Sequence, residues 1–568
     1  MLCELNGFCI SPFEIGEINY KQILSKFERD IKMKLNRDFS DKSIPHLVKK
    51  GELTELVVDG KPFIILGGEL HNSSASNINY MEPIWDKMVG LNCNTVIAPV
   101  YWELIEPIEG CFDFSLVKYM IMKAREHGLK LVLLWFGTWK NSSSTYAPAW
   151  VKTNVERFKR VKFIEEKIIP DTFLTYEPIS CFCKEACEAD ARAFSNLMKY
   201  LKEIDGAEHT VITVQVENEL GLLGVARDYC TEAEELFYSE IPSELKEFLI
   251  NNGNNMVEEI REPWISCGKK LNGNWDDVFG DVAEETFTSW YMAKYVDTVA
   301  EAGKKEYALP MYVNAWIVQF PGQKPGQYPS GGPVSRMLDI WKCSAHNIDF
   351  LSPDIYLENF AEICASYIRS GNPLFIPEAR RDKATCANLF YAIGQCDALC
   401  FSPFGIDSIG LEAGPEIIGV VPEQIFQINK ESAANLLSKC YSLLNGMIPV
   451  IVKYRGTGHM VGVIKDTENV KTLQLGDYNL NITYPLSDNP GGGIIIAVTP
   501  NEYIIAGFNL KVDFRAIINK PRRIDYLYIE EGKYMNGKWI EGRRLNGDEY
   551  GVYLGTEPGI LKTALYTY

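Results

Sequence analysis

The chain has 568 residues, 46% of them hydrophobic, which is enough for a large core and more than one domain. Its formal charge of −18 repels phosphate backbones and argues against nucleic-acid binding. No apolar run approaches the ~20 residues of a membrane span.

The start, MLCELNGFCISPFEIGE, has no basic segment followed by an apolar run, so no export signal is read there. The 15 cysteines are odd in number and scattered, and are expected to be reduced thiols in a cytoplasmic protein. Residues 1–50, with YKQILSKFERDIKMKL, are predicted to form a helical extension. From residue 61 a theme repeats: a short apolar run, a polar loop, a helix. The runs are FIILGGEL (63–70), NTVIAPVYW (94–102), LKLVLLWFGTW (129–139), TVITVQVENE (210–219), LPMYVNAW (309–316), IDFLSPDIY (348–356), PLFIPEA (373–379) and DALCFSPFG (397–405). Helical patterns lie between them, as in SLVKYMIMKAREHG (115–128), ACEADARAFSNLMKYLKEI (186–204) and TCANLFYAIGQ (385–395).

Strands that are apolar throughout and alternate with helices imply a parallel sheet covered on both faces. Eight such units over 51–415 predict a (β/α)8 TIM barrel. An open doubly wound sheet is the alternative, but GGELHNSS after the first strand is not its G-x-G-x-x-G turn. Cys181, Cys183 and Cys187 lack the paired spacing of a zinc site and have no nearby histidine, so small apolar packing is the expectation there. A helical insertion at about 222–308 follows strand four and falls on the catalytic face. Its Trp275, Trp290 and Tyr291 are candidates either for a cleft lining or for the core of a small subdomain. YPSGGP (328–333), after strand five, is read as a turn that borders the cleft at most. A connecting helix at 416–447 then leads to short alternating runs and turn pairs such as Asn536-Gly537, which predict an all-β, sandwich-like domain over 448–568.

The stretch VQVENEL (214–220) stands out, because a strand that reads as core ends in two carboxylates around an amide. Residues at the C-terminal ends of barrel strands face the reaction cup, and a carboxylate there is costly to bury unless it is paired or used. Glu219 ends strand four and Glu378, in PLFIPEARR, ends strand seven across the cup. Two carboxyl groups facing one cleft are what glycosidic bond cleavage requires, with no metal or organic cofactor. The few histidines form no cluster of metal ligands at the strand ends.

These residues resemble the clan A glycoside hydrolases, and within the clan most nearly glycoside hydrolase family 35, the β-galactosidases, in a branch with an extra C-terminal β domain. VDGKPFIILGGELHNSS (58–74) is similar to that family's first strand, YWELIEPIEGCFDFS (101–115) to its second-strand motif, and VQVENELG to its acid/base motif, with Leu220 where tyrosine is commonest. The resemblance spans about 45–410 and leaves the first 45 residues unexplained. It implies a retaining exo-hydrolase of terminal β-D-galactose in small galactosides, with Glu219 as general acid/base, Glu378 as nucleophile and Asn218 on the sugar 2-hydroxyl. Glu217 is expected to face the helices, and Tyr356 to hydrogen-bond Glu378. Glu69 and His71 on strand one, Trp102 and Glu103 on strand two, Trp139 on strand three and Trp316 on strand five are the further substrate-binding candidates, since sugars pair polar edges with apolar faces. A β-glucosidase, an α-L-arabinopyranosidase and a catalytically silent sugar-binding protein are the alternatives. The sequence leaves room for a homo-oligomer without identifying one.

Overall fold

The computed structural model describes residues 43–164, 177–409, 430–466, 468–517 and 523–568. Residues 1–42 of the expected N-terminal helix lie outside these. Residues 46–50 correct that expectation: β1 (His46–Lys50) is a strand, paired antiparallel with β2 (Leu53–Val58), which pairs with β3 (Lys61–Phe63). The turn between β1 and β2 holds only Gly51 and Glu52, and Gly51 takes φ 64°, the left-handed conformation that a tight hairpin needs.

Eight parallel strands follow: β4 (Ile65–Glu69), β5 (Thr95–Tyr101), β6 (Lys130–Lys140), β7 (Val211–Asn218), β8 (Met311–Trp316), β9 (Phe350–Asp354), β10 (Phe375–Ala379) and β11 (Cys400–Pro403). Neighbours in sequence are neighbours in space, and β11 pairs with β4. The circle closes between β9 and β10, where Ile355 bridges Ala379 and its N–H donates to Glu378 O at 2.9 Å. This is a (β/α)8 TIM barrel. Its strands are buried on both faces, so they read as unbroken apolar runs rather than as alternating ones.

Asn77 caps the helix Ile78–Gly90 by accepting from Tyr80 N, and Asp382 caps Lys383–Gln395 by accepting from Ala384 N and Thr385 N. In the insertion after β7, short helices run from Thr231–Phe237 to Trp275–Phe279. The long helix Ala283–Glu306 instead lies on Lys184–Asp205 as a wall of the barrel. Gly303 allows that approach, because a β-carbon there would sit 2.3 Å from the Phe194 ring. Trp275 and Trp290 are buried and pack with Phe287 and Tyr291, so they form the core of the insertion and not a cleft wall.

The helix Lys430–Tyr454 extends beyond the 447 expected from sequence. Tyr441 OH donates to Gly67 O at 2.7 Å and Phe401 O at 3.2 Å, and Asn445 Nδ2 donates to Asn92 O at 2.8 Å. It therefore stands against β4 and β11 as the eighth helix of the barrel. Beyond it, two antiparallel sheets of six and four strands enclose a second apolar core that includes Leu480, Ile495, Ile505, Val512 and Leu561. Asn536 and Gly537 have φ 50° and 75° and make the hairpin turn predicted for them. This β domain meets the barrel backbone to backbone: β-carbons on Gly394 or Gly462 would fall within 3 Å of main-chain atoms across the contact. No described helix is long and apolar enough to cross a membrane.

Candidate active site

At the C-terminal mouth of the barrel, Glu219, Asp354 and Glu378 are all buried, and one carboxylate oxygen of each lies within 4.8 Å of the others. Asn314, from β8, joins them. Its Oδ1 accepts from Glu219 N at 2.9 Å, and its Nδ2 donates to Asp354 Oδ2 at 2.8 Å and lies 3.4 Å from Glu378 Oε1. Tyr356 OH donates to Glu378 Oε2 at 2.6 Å, and Asn218 Nδ2 lies 3.4 Å from Oε1. Donors thus face both oxygens of Glu378. Asn141 Nδ2 donates to Glu219 Oε2. Lys140, itself buried, donates from Nζ to Asn218 Oδ1 at 2.8 Å.

The backbone here is unusual. Glu217 and Glu219 have φ 61° and 43°, and Asn141 and Ser142 across from them have φ 49° and 59°. Left-handed conformations of non-glycine residues cost about 1–3 kcal/mol each and persist where surrounding bonds over-determine them. Here Asn141 N donates to Asn218 O and Ser142 N to Glu219 O, both at 3.2 Å. The twist turns Glu217 to one side of β7 and presents Asn218 and Glu219 to the cup.

The electrostatics follow from burial. Glu219 is pushed up to about 7 by desolvation and then by the charge of Glu378, against the opposing pull of Lys140 and Asn141. Burial and Glu378 likewise push Asp354 and Glu69 well above the carboxylate range. Glu69 is wholly buried, and among the described residues no N–H or hydroxyl donor reaches either of its oxygens or Asp354 Oδ1. Such oxygens are costly to leave bare and suit a ligand rich in hydroxyl donors. A carboxylic acid near neutrality beside a carboxylate held by donors can protonate one atom and attack its neighbour.

Residues 74–308, which hold β5, β6, β7 and the insertion after β7, match the family described as "Beta-galactosidase", glycoside hydrolase 42 in clan A, and residues 437–555 match a "Domain of unknown function (DUF5597)". Residues 74–308 are thus similar in sequence to a clan A glycoside hydrolase family. This match and the family 35 motifs do not separate those two families. A "Beta-galactosidase" of Xanthomonas manihotis is 35% identical over 83 residues, 14% of each chain. The solved β-galactosidase of Bacillus circulans sp. alkalophilus aligns at 15% identity and a TM-score of 0.44, over 68% of this chain and 57% of that one. That of Marinomonas ef1 aligns at 12% identity and 0.44, over 68% and 60%. The chain thus spans less than two thirds of the length of these relatives.

Within the barrel the other candidates separate. Glu69 lies beside the carboxyl group of Glu378, and Trp316 ends β8, partly exposed, in register with Asp354. His71 stands at the mouth on the β11 side, with Nε2 2.7 Å from Ser408 Oγ and 3.1 Å from Arg381 Nη1. Glu103 is at the rim, paired with Lys152 at 3.0 Å. Trp102 and Trp139 correct the expectation of aromatic platforms, since both are fully buried. The Trp102 indole donates to Glu106 Oε2 at 2.9 Å and that of Trp139 to Ile179 O at 3.1 Å. Glu106 also accepts from Gly110 N at 2.7 Å and Arg192 Nη2 at 3.1 Å, so the EPIEG motif is a buried anchor for its loop. Trp139→Phe is expected to lower stability by roughly 1–3 kcal/mol through the orphaned carbonyl and to leave KM unchanged, as denaturant titration and steady-state kinetics would report.

The YPSGGP loop is pinned behind the end of β7. Leu222 N donates to Ser330 O at 2.8 Å and Ser330 N to Leu222 O at 2.9 Å. The three cysteines of CFCKEAC do not converge: Cys183 Sγ accepts from Lys159 N at 3.3 Å, while Cys187 Sγ faces Tyr295 O at 3.9 Å. Sequence reasoning missed Lys140, Asn141, Asn314 and Asp354. The one available signal was Asn314, an amide inside the apolar run MYVNAW.

Proposed function

We propose that the protein is a retaining, exo-acting glycoside hydrolase that releases terminal β-D-galactose from small galactosides. The observation that carries this reading is the approach of Glu219 to Glu378, with oxygens within 4.8 Å. Retaining sites hold their carboxyl groups ~5–5.5 Å apart, whereas inverting ones leave ~6.5–9.5 Å for a water. Glu378 Oε attacks the anomeric carbon while Glu219 gives its proton to the departing glycosidic oxygen. The C–O bond breaks and a glycosyl ester of Glu378 forms. Losing the Glu378 charge then lets Glu219 act as a base. It takes a proton from water, whose oxygen attacks the anomeric carbon and frees Glu378.

The sugar class follows from charge. Glu69, Asp354, Glu219 and Glu378 surround the cup, with Lys140 the cation acting on three of them. A neutral, hydroxyl-rich sugar supplies donors to both Glu69 oxygens and to Asp354 Oδ1, whereas an anionic sugar is repelled. The 13 described cysteines are free thiols, which supports a reducing, cytoplasmic setting.

A panel of aryl β-galactoside, β-glucoside, α-L-arabinopyranoside and β-glucuronide tests the reading. We expect the β-galactoside to have the highest kcat/KM and the glucuronide none. Preference for another neutral sugar would change the substrate and keep the mechanism. Binding without turnover of any member would make the protein a sugar-binding one.

A further inference from the structure

Glu217, the first carboxylate of VQVENEL, is wholly buried and takes no part in the cup. It meets Asp190, equally buried, from the helix Lys184–Asp205 behind the strand. The two carboxyl groups share one amide: Thr138 N donates to Glu217 Oε1 at 3.1 Å and to Asp190 Oδ2 at 3.2 Å. Trp139 N donates to Glu217 Oε2 at 2.7 Å. Asp190 also accepts from Trp135 Nε1 at 2.8 Å and Thr138 Oγ1 at 2.7 Å, with Tyr295 OH at 3.4 Å. Both close over Gly137, where a β-carbon would stand 2.8 Å from Glu217 Oε1 and 2.9 Å from Asp190 Oδ1.

Every one of these partners is a neutral donor. Two carboxylates in contact without a cation repel by roughly 4 kcal/mol even at an effective dielectric of about 20, and one retained proton removes that repulsion. The bonds from Thr138 and Trp139 also tie the end of β6 to the left-handed turn at Glu217, two residues before Glu219. We propose that Glu217 and Asp190 form a carboxyl pair sharing one proton, and that this pair positions Glu219 for acid catalysis. Burial, and then Asp190, push Glu217 upward. The titratable groups facing it are Asp190 and Cys187 on one helix and Tyr295 on another. Cys187 is pushed up to about 12 and Tyr295 well above its usual range, so neither adds charge at neutral pH.

The positioning role rests on the glycosidase reading, but the shared proton does not. Infrared difference spectra of wild type and Glu217→Gln at pH 7 are expected to differ by the carbonyl band of one protonated carboxylic acid, and absence of that band overturns the shared proton. In kinetics, Glu217→Gln keeps kcat within about threefold, because an amide can donate where the acid did. Glu217→Ala is expected to lose about 100-fold in kcat/KM on alkyl galactosides, which need the acid, but about tenfold or less in kcat/KM on dinitrophenyl galactoside, whose glycosylation does not. A purely structural role lowers both alike, and that result, or no loss at all, overturns the positioning role. If Glu217→Ala does not fold, Asp190→Ser is read in the same way. A wild type inactive on every glycoside strikes the glycosidase reading, and the infrared band still decides for the pair.

Discussion

Glu378→Gln is expected to abolish turnover, with kcat/KM falling by about 10⁴-fold or more, on the scale of removing a covalent nucleophile. The amide cannot form the glycosyl ester, and activated leaving groups do not rescue it, because formation of that ester precedes release of the sugar. The variant is also expected to melt higher than wild type. Glu378 is the charge that pushes most strongly on Glu69, Asp354 and Glu219, and neutralising it relieves all three. A gain in melting temperature beside lost activity separates a dead site from an unfolded chain. Retention of a tenth of wild-type activity would remove Glu378 from the mechanism.

The second large effect belongs to Glu219. Glu219→Gln is expected to lose about 10²–10⁴-fold on phenyl or alkyl galactosides, the usual worth of a general acid. The loss is smaller in glycosylation of dinitrophenyl galactoside, where the ester intermediate then accumulates for want of a base. In the proposed mechanism Glu219 acts first in its protonated form, and its pKa is pushed up to about 7. Activity in wild type therefore falls as pH rises through about 7, and this basic limb vanishes in Glu219→Gln. Stability has the same sign. A carboxyl group whose folded pKa is raised binds its proton more tightly in the native state, so its contribution is full at low pH and is lost as pH rises through about 7. A kcat/KM profile with no basic limb near neutrality would sink this assignment.

The barrel strands were legible because each is a short run apolar on both faces, and Glu219 and Glu378 because a carboxylate ending such a run has no cheap structural use. Asp354 and Lys140 were not, since aspartate and lysine at strand ends are ordinary in sequence and only closure of the circle brings them together. Trp102 and Trp139 misled for a related reason. An indole at the end of a strand suits a sugar platform or a buried N–H donor equally well, and tertiary packing decides. The strand at His46–Lys50 carries two lysines and a histidine, and its pairing depends on the hairpin partner rather than on its own apolar pattern. In sequence the eighth barrel helix reads as a linker, because 26 residues separate Pro403 at the end of β11 from Lys430, which hides the repeat.

That helix has a practical consequence. A catalytic fragment ending at the apparent boundary near 415 would strip a wall from the barrel and leave the carbonyls of Gly67 and Phe401 without the Tyr441 hydroxyl. The helix also runs on toward the first strand of the β domain, whose chain crosses barrel backbone at Gly394 and Gly462 without side chains between. Barrel and β domain therefore have no seam at which a protease or a cloning junction could part them cleanly, and the two halves are expected to melt as a single cooperative transition.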